Sequence, residues 1–126
     1  MTLIRNLLYV DGFAGATAGA LVVLASRWLS EWYGLPLNFV IFMGIVNLAY
    51  ATYSLSLAQA SVRPISLILL LVVANLTWMV FCFGFAGFFF ETASPFGITH
   101  LAGEGVFVGF LAALEWQWRD QLRYSN

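Results

Sequence analysis

Residues 64–90, PISLILLLVVANLTWMVFCFGFAGFFF, decide the fold. The stretch holds no charged side chain and exceeds the roughly 20 apolar residues an α-helix needs to cross about 30 Å of hydrocarbon. The same criterion selects three more spans, at about residues 7–29, 35–57 and 96–118. Together they take up nearly the whole 126-residue chain. The expected fold is therefore all-α, an integral membrane bundle of four transmembrane helices forming a single domain over residues 1–126, with short loops. Composition agrees: 62% of residues are hydrophobic and 9% charged, against about 45–50% and about 25% in soluble domains.

The first span carries Asp11, is too long for a signal-peptide core and lacks a persuasive cleavage site, so it reads as a retained helix. Cys82 is the single cysteine, which excludes an intrachain disulfide and reads as a small packing residue. With four spans, Arg5, Arg63, Arg119 and Arg123 fall on one side and Arg27 on the other. The positive-inside rule then predicts cytoplasmic N and C termini. There is no lysine and no dense basic face, which argues against nucleic acid as a partner.

Gly15 and Gly19 stand at GxxxG spacing, with Gly12, Ala16 and Ala20 beside them, a face that lets another helix approach closely. Trp28, Trp32 and Tyr33 read as an interfacial belt, and Gly34-Leu35-Pro36 turns the chain back. The second span contains Asn38, Asn47, Tyr50, Thr52, Tyr53 and Ser54, too polar for a lipid-facing helix, and is expected inside the bundle. Ser61-Val62-Arg63-Pro64 and Glu91-Thr92-Ala93-Ser94-Pro95 are the remaining turns, ahead of a short polar tail, Asp120 to Asn126. Arg5 and Arg63, Glu31 and Glu91, and Pro36 and Pro95 recur at nearly constant spacing, as two successive hairpins of equal length require.

Within this apolar frame His100 and Glu104 stand out, because ionisable groups are rare inside membranes unless something needs them. Four apart, they share a helix face with Phe107, Val108, Leu111 and Glu115. A charged Glu104 would cost at least about 2.5–3.5 kcal/mol facing lipid. It is expected to face the bundle, paired with His100 or hydrogen-bonded to Asn47 or Asn75. Asn75 and Trp78, three apart, share another face. Asp11 is expected to cap or snorkel near its interface, and Glu115 and Arg119, at i and i+4, to form an interfacial ion pair. One histidine with scattered carboxylates provides no usual metal set. His100 could supply one haem ligand, but the usual pair of bundle histidines is missing, so no cofactor is assigned.

Across its length the chain resembles a type of small bacterial four-span membrane protein, through Asp11, Gly34-Leu35-Pro36, Arg63-Pro64, Asn75-x-x-Trp78, Gly103-Glu104 and Leu114-Glu115-Trp116. That resemblance implies the bundle fold and a bacterial inner-membrane location, and no activity. Locally, His100-Leu101-Ala102-Gly103-Glu104-Gly105 is similar to the H-x-x-x-E-G helix of the emopamil-binding sterol isomerase (EXPERA) family, and Asn75-Leu76-Thr77-Trp78 to its N-x-x-W helix. In that family these groups line a sterol cavity and support proton shuttling. Here the two motifs stand in the opposite order, and a further family acid has no counterpart.

Three functions follow as expectations. The first is an intramembrane polar pocket for a hydrophobic or amphipathic ligand, with Glu104 and His100 as acid/base groups and Asn75, Trp78 and Asn47 lining it; catalysed isomerisation is one form of this. The second is an accessory subunit of a larger membrane complex, using its glycine faces and the phenylalanines of the third span as partner surfaces. The third is a homo-oligomeric proton-coupled transporter with Glu104 as the coupling carboxylate. The partners these imply are the lipid bilayer, a lipophilic small molecule, and other membrane proteins or a second copy of the chain.

Overall fold

A computed structural model describes residues 6–60 and 62–123. Arg5, Ser61 and the end of the tail, residues 124–126, lie outside the described residues. The helices are α1 (Leu7–Leu24), α2 (Ser26–Tyr33), α3 (Leu37–Gln59), α4 (Ile65–Phe88) and α5 (Pro95–Gln117), followed by a 3₁₀ turn at Gln121–Arg123. Four of them, α1, α3, α4 and α5, are long and apolar enough to cross a membrane. No strand occurs among the described residues.

The first span departs from expectation in its length. It stops at Leu24 and bends at Ala25 (φ −101°, ψ 18°) into the separate helix α2. The reason lies in the sequence Ser26-Arg27-Trp28-Leu29-Ser30-Glu31-Trp32-Tyr33, in which only Leu29 is buried. An amphipathic segment of this kind is satisfied lying across the bundle's end. Gly34 ends α2 in the left-handed conformation (φ 66°), where a side chain would be strained. Ser94 caps α5, its hydroxyl accepting from the Gly97 N–H at 3.3 Å, with Pro95 in the first turn, where its missing N–H costs nothing.

The bundle is two tightly packed hairpins, α1 with α3 and α4 with α5. In the first, a Cβ on Gly19 would stand 2.8 Å from the Gly44 carbonyl oxygen, and one on Gly15 would stand 3.1 Å from that of Asn47. The GxxxG face is thus consumed inside the chain, by α3. In the second hairpin Gly105 meets Phe83 and Gly109 meets Met79. Between the hairpins an apolar cluster that includes Val40, Met43, Cys82 and Leu101 is joined by polar contacts. Tyr50 donates to the Ala74 carbonyl, Tyr53 donates to the Leu67 carbonyl at 2.7 Å, and side chains described below add more. Hydrogen bonds are an effective seam in lipid, where apolar contact brings no hydrophobic gain. Of the polar residues of α3, Asn47 and Ser54 are buried, whereas Asn38 and Thr52 face outward.

Each end of the bundle is tied across the hairpins. At the far end, Ser94 N–H donates to the Tyr33 carbonyl at 2.7 Å, and the Ser94 hydroxyl donates to the Trp32 carbonyl at 2.7 Å. At the end carrying the termini, the Arg63 guanidinium is buried and donates to the carbonyls of Leu57, Ala58 and Leu122, each at 2.7 Å. Arg63 thereby satisfies carbonyls that the C-terminus of α3 leaves without helical partners.

Candidate functional site

Glu104 is the meeting point of three long helices. Its Oε1 accepts from Asn47 Nδ2 of α3 at 3.2 Å, and its Oε2 accepts from Trp78 Nε1 of α4 at 2.5 Å. The thiol of Cys82 approaches Oε2 at 3.6 Å. On α5 itself His100 Nε2 lies 3.4 Å from Oε1, the i, i+4 relation that places both side chains on one face. Donors therefore reach both carboxylate oxygens, the arrangement that accommodates charge in a low-dielectric interior.

His100 is in turn held by α2. The Tyr33 hydroxyl lies 3.1 Å from His100 Nδ1. Gly97, one turn ahead of His100, makes this possible, since a Cβ there would stand 2.5 Å from the Tyr33 carbonyl oxygen. Burial, and then the charge of Glu104, hold the Tyr33 phenol above its usual pKa, so it stays a donor at neutral pH. His100 Nε2, 3.4 Å from Glu104 Oε1, is buried and makes no hydrogen bond of its own. Tyr33, His100 and Glu104 form a line from the cap into the bundle.

Asn75 belongs elsewhere. Its Nδ2 donates to Glu115 Oε1 at 2.8 Å and to Asp11 Oδ2 at 3.3 Å, building a second polar cluster from α1, α4 and α5. Two expectations are overturned here. Asp11 neither caps its helix nor snorkels outward, since it is 6% exposed and accepts from Asn75, and Glu115 is 0% exposed. Nor does Glu115 pair with Arg119, which lies over the Trp116 ring at 4.0 Å and donates to the Trp116 carbonyl. The i+4 spacing to Arg119 competes with the i+11 spacing to Glu104, and in a membrane the inward face wins because the carboxyl has a partner there.

A cavity joins the two clusters. It offers about 50 Å³ to the centres of water-sized molecules, and Asp11, Asn47, Tyr50, Trp78 and Glu104 are among its walls. A buried water needs about 10–15 Å³ by this measure, so a few waters fit and a sterol does not. Larger hollows lie on the outside of the bundle. One of about 250 Å³ between α3 and α4 is lined by Phe42, Val46, Thr77, Phe81 and Phe85, with Tyr50 and Trp78 as its inner wall.

Of the residues singled out in the sequence, the structure brings His100, Glu104, Asn47 and Trp78 together and sets Asn75 apart. Sequence reasoning missed Tyr33, read as belt; Cys82 is the buried packing residue expected, and its thiol also approaches Glu104. It also missed Asp11 and Glu115 as interior groups. Signals for the last two were present: Asp11 precedes Gly15 by four residues on the close-packed face of α1, and Glu115 continues the stripe of His100 and Glu104. Among the described residues no cluster of three metal-binding side chains occurs.

The chain matches no known family model, and neither curated proteins nor solved structures give a significant match. The sterol-isomerase resemblance has no support from these comparisons, and the separation of Asn75 from Trp78 differs from the shared cavity wall it implies.

Proposed function

We propose that this membrane helix bundle translocates protons, with Glu104 as the carboxyl that is loaded and unloaded. The observation that carries the reading is the position of Glu104, with His100 Nε2 at 3.4 Å and Tyr33 behind it on the side of the cap, and a water-sized cavity in the interior. A proton reaching His100 Nδ1 from the Tyr33 side allows the proton on Nε2 to pass to Glu104 Oε1. Histidine suits this relay because its two nitrogens exchange donor and acceptor roles near neutral pH. Chains of Asp, Glu and His inside membranes commonly serve proton movement.

The test is proton uptake into proteoliposomes, followed with an entrapped pH-sensitive dye under an imposed potential. Glu104→Gln is expected to abolish uptake while the protein keeps its helical circular dichroism. Uptake equal to that of the wild type would sink the assignment.

A second reading rests on the outer hollow that shares Tyr50 and Trp78 with the acid-lined cavity. An amphipathic ligand could lay its apolar body against Phe42, Phe81 and Phe85 and present its polar end to Glu104 after movement of Trp78. Gentle extraction followed by intact mass spectrometry separates the two readings: a stoichiometric lipophile favours the ligand site, and its absence together with proton uptake favours the relay.

A further inference from the structure

The cluster of Asp11, Asn75 and Glu115 plays no part in the line that loads Glu104, yet it is the more deeply buried of the two. One nitrogen, Asn75 Nδ2, donates to Glu115 Oε1 at 2.8 Å and to Asp11 Oδ2 at 3.3 Å, so the two carboxyls stand side by side around a single amide. Two ionised carboxylates only accept, and crowded together away from water they are relieved when a proton is held between them. Glu115 Oε2 has no hydrogen-bond partner although the residue is wholly buried, which leaves an oxygen free to carry that proton. The Tyr50 hydroxyl is the titratable group facing the pair from α3. On the side toward the termini come the buried leucines Leu7, Leu8 and Leu122.

We propose that Asp11 and Glu115 hold one proton in common and exchange it with Glu104 through water in the cavity between them. The exchange balances without any further reactant: a proton leaves Glu104 for a cavity water, that water releases a proton to Asp11, and the pair gains the charge that Glu104 loses. This inference rests on the reading that Glu104 carries a proton, and it adds a second, proton-storing site.

Infrared spectroscopy of the intact protein in proteoliposomes reads the shared proton directly, through the C=O stretch of a protonated carboxyl group at neutral pH. The wild type is expected to show this band and Glu104→Gln to retain it, whereas the double variant Asp11→Asn, Glu115→Gln loses it. Absence of the band from the wild type, or its survival in the double variant, would overturn the proposal. Filling the cavity with Ala18→Val touches neither acid and is expected to slow exchange of the band in deuterated water at least tenfold; unchanged exchange removes the cavity as the route. If wild-type protein carries the band but takes up no protons, proton translocation fails as the function while the shared proton stands. Should uptake be lost in Glu104→Gln and persist in the double variant lacking the band, the pair is no station on the path and the role of Glu104 survives.

Discussion

The two polar clusters in this bundle solve the problem of burying a carboxyl group in opposite ways. Around Glu104, donors converge from two other helices, the Asn47 amide and the Trp78 indole, with the His100 imidazole 3.4 Å away on its own helix. Around Glu115 the proportion reverses, with two acids served by one amide. A donor-rich shell can stabilise a charge, whereas an acid-rich shell without a cation is stable only if it retains a proton. The lesson is that burial alone does not say what an intramembrane carboxyl does; the ratio of donors to acids around it does.

That contrast can be broken most directly at the two asparagines. Asn75→Leu strips two acids of their shared donor and is expected to cost about 2 kcal/mol, read by denaturant titration in micelles. Asn47→Leu leaves Glu104 with Trp78 and His100 and should cost about 0.6 kcal/mol, the average for hydrogen bonds between membrane helices. A larger loss at Asn47 than at Asn75 would reverse the comparison. Between the two asparagines in size is Trp78→Phe, which preserves most of the packing and removes the short indole bond to Glu104 Oε2. About 1.5 kcal/mol is expected in the same titration, typical of a hydrogen bond to a charged group; no loss would mean that Glu104 does not depend on its donors. The smallest effect belongs to Tyr33→Phe, which removes only the contact to His100 Nδ1 from a partly exposed site. Stability should fall by no more than about 0.5 kcal/mol, while proton uptake slows severalfold; uptake at the wild-type rate would take Tyr33 out of the relay.

The presence of His100 and Glu104 on one face, and the need for Glu104 to turn inward, could be read from spacing and from the cost of charge in lipid. Which asparagine would meet it could not, because both Asn47 and Asn75 lie near mid-membrane and helix rotation decides between them. The Glu115–Arg119 pairing failed for a related reason: i, i+4 spacing is a local rule suited to water, and it was overridden by the Asn75 amide on another helix.

The amino-acid sequence by itself determined that this chain forms apolar helices able to cross a membrane, where they begin and turn, and that a few polar groups must avoid lipid. These are consequences of hydropathy, helix periodicity and the chemistry of proline and glycine, all local along the chain. Only the tertiary structure decided that α2 would cap the bundle and carry Tyr33 to His100, that the glycine face of α1 would be used within the chain, and that Asp11 and Glu115 would gather on the Asn75 amide. Those outcomes depend on the rotation and depth of one helix against another, which close packing fixes between helices and no single helix encodes.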